Sequence, residues 1–586
     1  MPLDPKRHVP AIALFLLGIL ILALRNPDPF LNPLLYAEDG VWTGLGLTHG
    51  WLYALNNARG DYFVFLNMAL LLLASDLSYL VSGNPIDLLP QSIAVVSLAF
   101  FSAIATAAFV ISKDAAPRVF RTALYLLLLL IPLGITQNEI FGRIVQIGFY
   151  VPIIAVLLFF VRQGASPRGT VVAIDILLLC CTATNPVVLA LAFLYLAWDY
   201  FRDATLGAWF RRNATLITPH SLLLALLLSR MGGTGGVPGT FNSENLIEAA
   251  LARAIEYPFV FPWYSRLSDG ITLVLFAAWI SLIALAFVEA RSLAARRLML
   301  FSLAAVLVCD AATLAMRPGL TGILFGYRSS YPDRYFMGIN ALVVLVSTVA
   351  LAQLCASENA RTRTLGYVAS SLVGFTYLFH IDAIFETLGP RLAIKTRLDF
   401  SGQICSSELA KDGSVFLVQA FPEIDAWRMS VPRRFIDTSK CGTLTSGDTG
   451  VADSNDPYTL RPSRSLSVDS PIRLVMTPLH QHTQLGLRRI GVMFGTGVRA
   501  NPGDAELRLK GPRGATFVHR FSLPDLADHQ YRFFDLDAKR YTAGEIMFGT
   551  GGGVSAWEGH DSKGRANTCI VYEYEDGTRR HTPGCP

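Results

Sequence analysis

The chain has 586 residues, of which 52% are apolar or aromatic and only 16% charged, where a soluble chain of this length carries about 25% charge. That composition excludes a single water-soluble enzyme and indicates a polytopic membrane protein. The formal net charge of +5 is accounted for by Lys and Arg in short loops, so it is not a nucleic-acid signal.

The first apolar run, 9–24, follows Lys6 and Arg7 and has the look of a signal peptide. No small-x-small cleavage site follows, and Arg25-Asn26-Pro27 closes the run, so it reads as an uncleaved first helix. Runs near the roughly 20 residues needed to cross a bilayer recur at 91–112, 122–136, 149–161, 170–184, 186–200, 213–229, 270–288, 297–315, 335–354 and 364–380. Segment 62–80 is also apolar. If it crossed, the basic loops holding Lys113, Arg118 and Arg121, Arg162 and Arg168, Arg202, Arg211 and Arg212, Arg291, Arg296 and Arg297, and Arg361 and Arg363 would all lie outside. Cytoplasmic loops are the ones enriched in Lys and Arg. The segment is therefore expected to lie along the outer interface, which leaves about eleven spans with the N-terminus inside and the C-terminus outside.

The outer loops hold the polar residues of interest. Glu38 and Asp39 follow the first span. Two adjacent carboxylates at a membrane surface are costly unless paired or used, and one of them could serve as a general base. Asp39 could equally be a helix N-cap. The second outer loop carries Asn138, Glu139, Arg143 and Gln146, with Glu139 and Arg143 spaced for an ion pair across one helical turn. The fifth carries Arg328, Tyr331, Arg334, Tyr335 and Phe336 just before a span. Guanidinium groups there suit phosphate oxygens, although interfacial anchoring explains the aromatic residues too. Mid-span charges are few, chiefly Asp175 and Asp310.

From about residue 412 the apolar pattern turns to period two, as in Ile490, Val492 and Phe494, then Ala505, Leu507 and Leu509, then Ile570, Tyr572 and Tyr574. Turn sequences such as Asn501-Pro502-Gly503 and Asp576-Gly577 separate the runs. This predicts an all-β sandwich or jelly roll, and sets domain limits of 1–395 for the membrane body and 396–586 for the soluble tail. His480, His482, Trp557 and His560 could line a carbohydrate site there or simply belong to a β-surface. Cys405, Cys441, Cys569 and Cys585 are expected to form two disulfides, paired locally as Cys405–Cys441 and Cys569–Cys585, which places the tail in an oxidising compartment. Cys180, Cys181, Cys309 and Cys355 read as buried thiols. Walker A, strand-linked GxGxxG, HExxH and CxxC motifs do not occur.

Taken together, the acidic pair Glu38-Asp39 in a long first outer loop, the interfacial segment 62–80, Asn138 and Glu139 in the second outer loop, and Arg334-Tyr335 at the outer end of a late span resemble the polytopic glycosyltransferases of the GT-C fold, over about residues 9–390. The order Glu-Asp departs from the Asp-Glu or Asp-Asp common there, which leaves open which of Glu38 and Asp39 is the base. The resemblance implies a sugar donor on a polyprenyl phosphate at the outer face of a bacterial cytoplasmic membrane and a glycan, lipid or protein acceptor of the cell envelope. It also implies a single inverting displacement. Asp39 is the expected base, with Glu38 and Glu139 as further catalytic carboxylates. Arg334, Arg328, Tyr335 and Arg143 are expected at the donor phosphate, and Asn138 and Gln146 near the acceptor. Acidic outer loops are able to hold Mg²⁺ or Mn²⁺, but no spacing requires either metal. A polysaccharide polymerase or ligase, a lipid-linked glycan flippase and a membrane scaffold are the competing classes.

Overall fold

The computed structural model describes residues 5–31, 33–164, 167–201, 205–230, 241–324, 326–327, 333–385, 400, 404, 408–409, 414–420 and 427–436, and then 459–462, 471–474, 486–496, 501–511, 516–526, 530–539, 541, 543–551, 554–560, 566–575, 579–582 and 585. The chain divides into two compact units. The first comprises Met1–Gly389, Lys395–Pro422 and Ala426–Ile436, and the second is essentially Asp437–Pro586.

The first unit is helical. Its helices are α1 (Pro5–Arg25), α2 (Asp28–Leu31), α3 (Ala37–His49), α4 (Trp51–Asn57), α5 (Phe65–Ser82) and α6 (Leu89–Ile111). There follow α7 (Arg118–Leu129), α8 (Val151–Gly164), α9 (Arg168–Thr184), α10 (Val187–Tyr200) and α11 (Leu206–Arg230). After a π-helical stretch, Glu248–Glu256, come α12 (Tyr257–Val260), α13 (Asp269–Glu289), α14 (Leu293–Met316), α15 (Leu320–Ile323), α16 (Asp333–Cys355), α17 (Ala360–Phe379) and α18 (Ile381–Phe385). Among the described residues, five helices are long and apolar enough to cross a membrane: Phe65–Ser82, Leu89–Asp114, Asp269–Glu289, Leu293–Met316 and Arg334–Cys355. The last is the axis of the bundle, with 89% of its span window buried, against 22% for Asp269–Glu289 at the periphery.

By length and composition α5 qualifies as a span. Its first turn is fixed by the Thr184 hydroxyl, which accepts from Leu66 N–H, and by Asn67, which donates to Ile144 O. Its last turn leads within a few residues into α6, whose Ser97 donates to Arg143 O. The expected helix over 122–136 is shorter than its apolar run. Arg25, buried at the end of α1, donates to Leu129 O and Ile131 O and so takes carbonyls from the last turn of α7. A buried guanidinium aimed at helix-terminal carbonyls satisfies groups that lipid could not.

The boundary expected at 395 falls instead near 436. Three antiparallel strands, β1 (Glu408–Leu409), β2 (Val415–Gln419) and β3 (Arg428–Pro432), belong to the helical unit. β3 lies on α3 at Gly44, where an added Cβ would sit 2.7 Å from Ser430 N, so only glycine allows this approach. Thr48 completes the joint by donating to Ser430 O.

The second unit is all-β, with β4 (Thr459–Pro462), β5 (Ile472–Leu474), β6 (Leu487–Gly495), β7 (Gly503–Lys510), β8 (Thr516–Ser522), β9 (Gln530–Lys539), β10 (Ala543–Gly551), β11 (Ser555–His560), β12 (Ala566–Thr568), β13 (Ile570–Tyr574) and β14 (Arg579–His581). One antiparallel sheet runs β5-β10-β7-β8. The other is centred on β6, which pairs with β9, β11 and β13. Ile490, Val492, Leu507, Ile546 and Tyr572 from both sheets share one core, which makes the unit a two-sheet sandwich. Cys569–Cys585 is a disulfide. Cys405 and Cys441 lie outside the described residues. The other four cysteines are free thiols.

Candidate functional site

A cavity of about 310 Å³ opens between α3, the start of α5, the 145–149 turn, α9–α10, α14 and α16. Its wall includes one carboxylate, Glu38, and three guanidinium groups, Arg59, Arg317 and Arg334. The amides of Asn67, Gln146 and Asn185 and the aromatic rings of Tyr36, Trp42, Tyr62, Phe149, Tyr335 and Trp427 complete its character. Among the described residues the site is thus cationic and aromatic with a single acid.

The two carboxylates of the first outer loop part company here. Asp39 is 1% exposed and does not reach the cavity. Its Oδ2 accepts from Ile144 N–H at 3.0 Å, tying α3 to the segment that precedes the 145–149 turn. Burial pushes its pKa up to about 7, and Arg143 and the N–H groups of Ile144 and Val145 pull against that rise. Glu38, one residue earlier, faces the cavity. Ala37 just before it holds a left-handed backbone, φ +41°, an uncommon conformation for a residue with a Cβ. The acid expected to act as base is therefore buried against Ile144 N–H, and its neighbour is the one that lines the cavity. Gly40 is a helical residue pressed on Leu35, whose Cδ2 would meet an added Cβ at 2.7 Å.

Of the expected phosphate ligands, Arg334 and Tyr335 line the cavity. Arg334 donates to Glu139 Oε2 at 3.0 Å, so Glu139 pairs across the bundle rather than with Arg143 one turn on. Arg143 is buried, donates to Leu34 O and stacks 4.8 Å from the centre of the Tyr36 ring. It builds the wall and does not line the cavity. Gln146 does line it. Arg328 and the Asn138 side chain lie outside the described residues.

Arg317, Arg59 and Trp427 were not anticipated. Arg317 lies over the Tyr335 ring at 4.6 Å and donates to its hydroxyl at 3.3 Å. Its sequence signal was an arginine directly after a span, the mirror of Arg334 directly before one. Arg59 is bound to Asp61 at 3.0 Å and is close enough to Glu38 to feel its charge. Two amides steady the floor: Asn185 donates to Gly148 O and Asn67 to Ile144 O.

Among the described residues, no group of three or more His, Cys, Asp or Glu side chains is placed to hold a metal ion. In the β-unit, Trp557 is buried against Met493, Cys569 and Cys585 and presents no exposed platform. His480, His482 and the side chain of His560 lie outside the described residues. No family model, curated protein or solved structure matches this chain.

Proposed function

We propose that the protein is a GT-C-type membrane glycosyltransferase that moves a sugar from a polyprenyl-phosphate donor to a cell-envelope acceptor, with Glu38 as general base. The observation that carries this reading is the cavity itself, where one lining carboxylate shares about 310 Å³ with Arg317, Arg334 and Arg59. In the proposed step the acceptor hydroxyl attacks the anomeric carbon and gives its proton to Glu38. The bond from that carbon to the phosphate oxygen breaks, and its electron pair stays on the lipid phosphate. A single displacement inverts the anomeric centre. Arg317 and Arg334 meet the charge that grows on the departing phosphate, where fixed donors contribute most. An activated lipid donor supplies the driving force without a nucleotide at this face.

The topology goes with the function. We take the bundle to cross a bacterial cytoplasmic membrane about eleven times, with α5 along the outer interface and the β-unit outside. The Cys569–Cys585 disulfide supports an oxidising compartment for that unit. A flippase would need charges poised along a path through the bilayer. The buried pair Arg162–Asp175 is instead satisfied by its own neighbours.

The test is turnover of the purified full chain with polyprenyl-phosphate sugars. Glu38→Gln should lower kcat by about 10²–10⁴-fold and leave donor affinity nearly unchanged, since the loss arises in the transition state. Full activity in that variant would remove Glu38 as base.

A further inference from the structure

The cavity described above is not made by the helical bundle alone. One part of its wall, Trp427, comes from the chain that follows the last long helix. Several contacts fix that residue. Its carbonyl accepts from Ala420 N–H at 2.9 Å, joining it to the end of β2. The next five residues form β3, which is seated on α3 through the close approach at Gly44 and the Thr48 to Ser430 bond. Further on, Asn84, just after α5, donates to Phe435 O at 2.8 Å. The helix that carries Glu38 and the strand that follows Trp427 are thus packed together, and the two side chains border the same space.

The division of chemistry around the cavity is informative. Arg317 directly follows α14, Arg334 and Tyr335 open α16, and Glu38 comes from α3. Trp427 contributes an indole. An indole face is electron-rich, and the axial C–H bonds of a pyranose ring carry the complementary partial charge.

We propose that Trp427 is the platform for the donor's sugar ring, so that the post-helical chain completes a site whose phosphate end is built by the membrane helices. This rests on the glycosyltransferase reading above and extends it. Guanidinium groups at the end of α14 and the start of α16 hold the phosphate, the indole holds the sugar, and Glu38 stands beside the carbon between them. Trp427 is a specificity residue and takes no proton.

The experiment uses the full chain in detergent and measures binding of bare polyprenyl phosphate and of a panel of polyprenyl phosphates each bearing one hexose or pentose. The wild type should bind at least one sugar-bearing lipid about tenfold more tightly than the bare lipid, a difference of about 1.4 kcal/mol. Trp427→Ala should erase that preference while leaving bare-lipid affinity unchanged, and Trp427→Phe should retain most of it. Arg317→Ala should weaken both lipids alike. A preference that survives in Trp427→Ala, with Arg317→Ala still weakening both lipids, overturns the platform and leaves the phosphate reading standing. A wild type with no preference across the panel overturns the platform as well. A wild type that binds no polyprenyl phosphate at all overturns the glycosyltransferase reading itself.

Discussion

Two polar clusters of the helical unit differ in what satisfies them. In the first, Arg162 binds both oxygens of Asp175, at 2.6 and 3.1 Å, and also donates to Tyr195 and Asn213, while Thr215 donates to Asp175. Asn213 extends the network to Asp199, which Arg212 also binds. Every charge there is answered by the protein. In the second, Glu38 and Arg317 face a cavity, and Arg317 rests on an aromatic ring and a hydroxyl rather than on a carboxylate. A closed network specifies how α8, α9, α10 and α11 pack. The second network turns its charges to open space, and that is where we propose the donor binds.

The sharpest way to break this comparison is to remove a charge from the closed cluster. Arg162→Met leaves Asp175 buried without its guanidinium and should cost about 3–5 kcal/mol. The readout is a large fall in unfolding temperature and yield in detergent. A stable, well-folded Arg162→Met protein would mean that the network is dispensable, and mid-bundle charge would need another explanation.

Asp39 tests the same idea at the edge of the site. Its pKa of about 7 lies above the ordinary 3.8, so the folded protein holds a proton there that the unfolded chain releases. Stability from this group is complete below about pH 4 and is lost as pH climbs through 7, by about 4 kcal/mol at most. Asp39→Asn keeps an acceptor for Ile144 N–H and cannot ionise. Its unfolding temperature should therefore be flatter between pH 4 and 8 and exceed that of the wild type above pH 7. Parallel pH curves for the two proteins would show that burial does not hold the proton on Asp39.

In the β-unit, replacing Cys569 and Cys585 by Ala should destabilise that unit by about 3 kcal/mol, the usual worth of closing a loop of this length. Separate unfolding of the second unit by calorimetry would register it, and an unchanged transition would reduce the disulfide to a bystander. The smallest expected effect is Arg317→Lys. Charge is kept, but the planar fork and the stacking on Tyr335 are lost, so kcat/KM should fall by about tenfold, or about 1.4 kcal/mol. Wild-type kinetics would return Arg317 to the role of an interfacial anchor.

Much of the scaffold could be read from hydropathy because local chemistry dictates it. The run at 91–112 became Leu89–Ile111 and that at 335–354 became Asp333–Cys355. The alternation of Ala505, Leu507 and Leu509 survives as the buried face of β7. The site was legible only in part. Glu38 and Asp39 are about 100° apart on a helix, and sequence cannot say which of them faces a cavity. That is settled by Ile144 N–H, more than a hundred residues away, taking Asp39. The docking of β3 on α3 was hidden for the same reason. Its only local trace is Gly44, one glycine among several in that helix, and contact between positions 44 and 430 leaves no periodic signal. Arg143 looked like a phosphate ligand because arginine at a loop suits both phosphate and wall, and only burial tells them apart.

The most direct test of the central claim is mass analysis of envelope glycans from a strain in which this gene is deleted and then restored as wild type, Glu38→Gln or Asp39→Asn. The account predicts that the deletion removes a sugar from a surface glycan. Wild type and Asp39→Asn should restore it, whereas Glu38→Gln at equal abundance should not. A deletion that alters no glycan, or a Glu38→Gln chain that restores the sugar while Asp39→Asn at equal abundance does not, would contradict it.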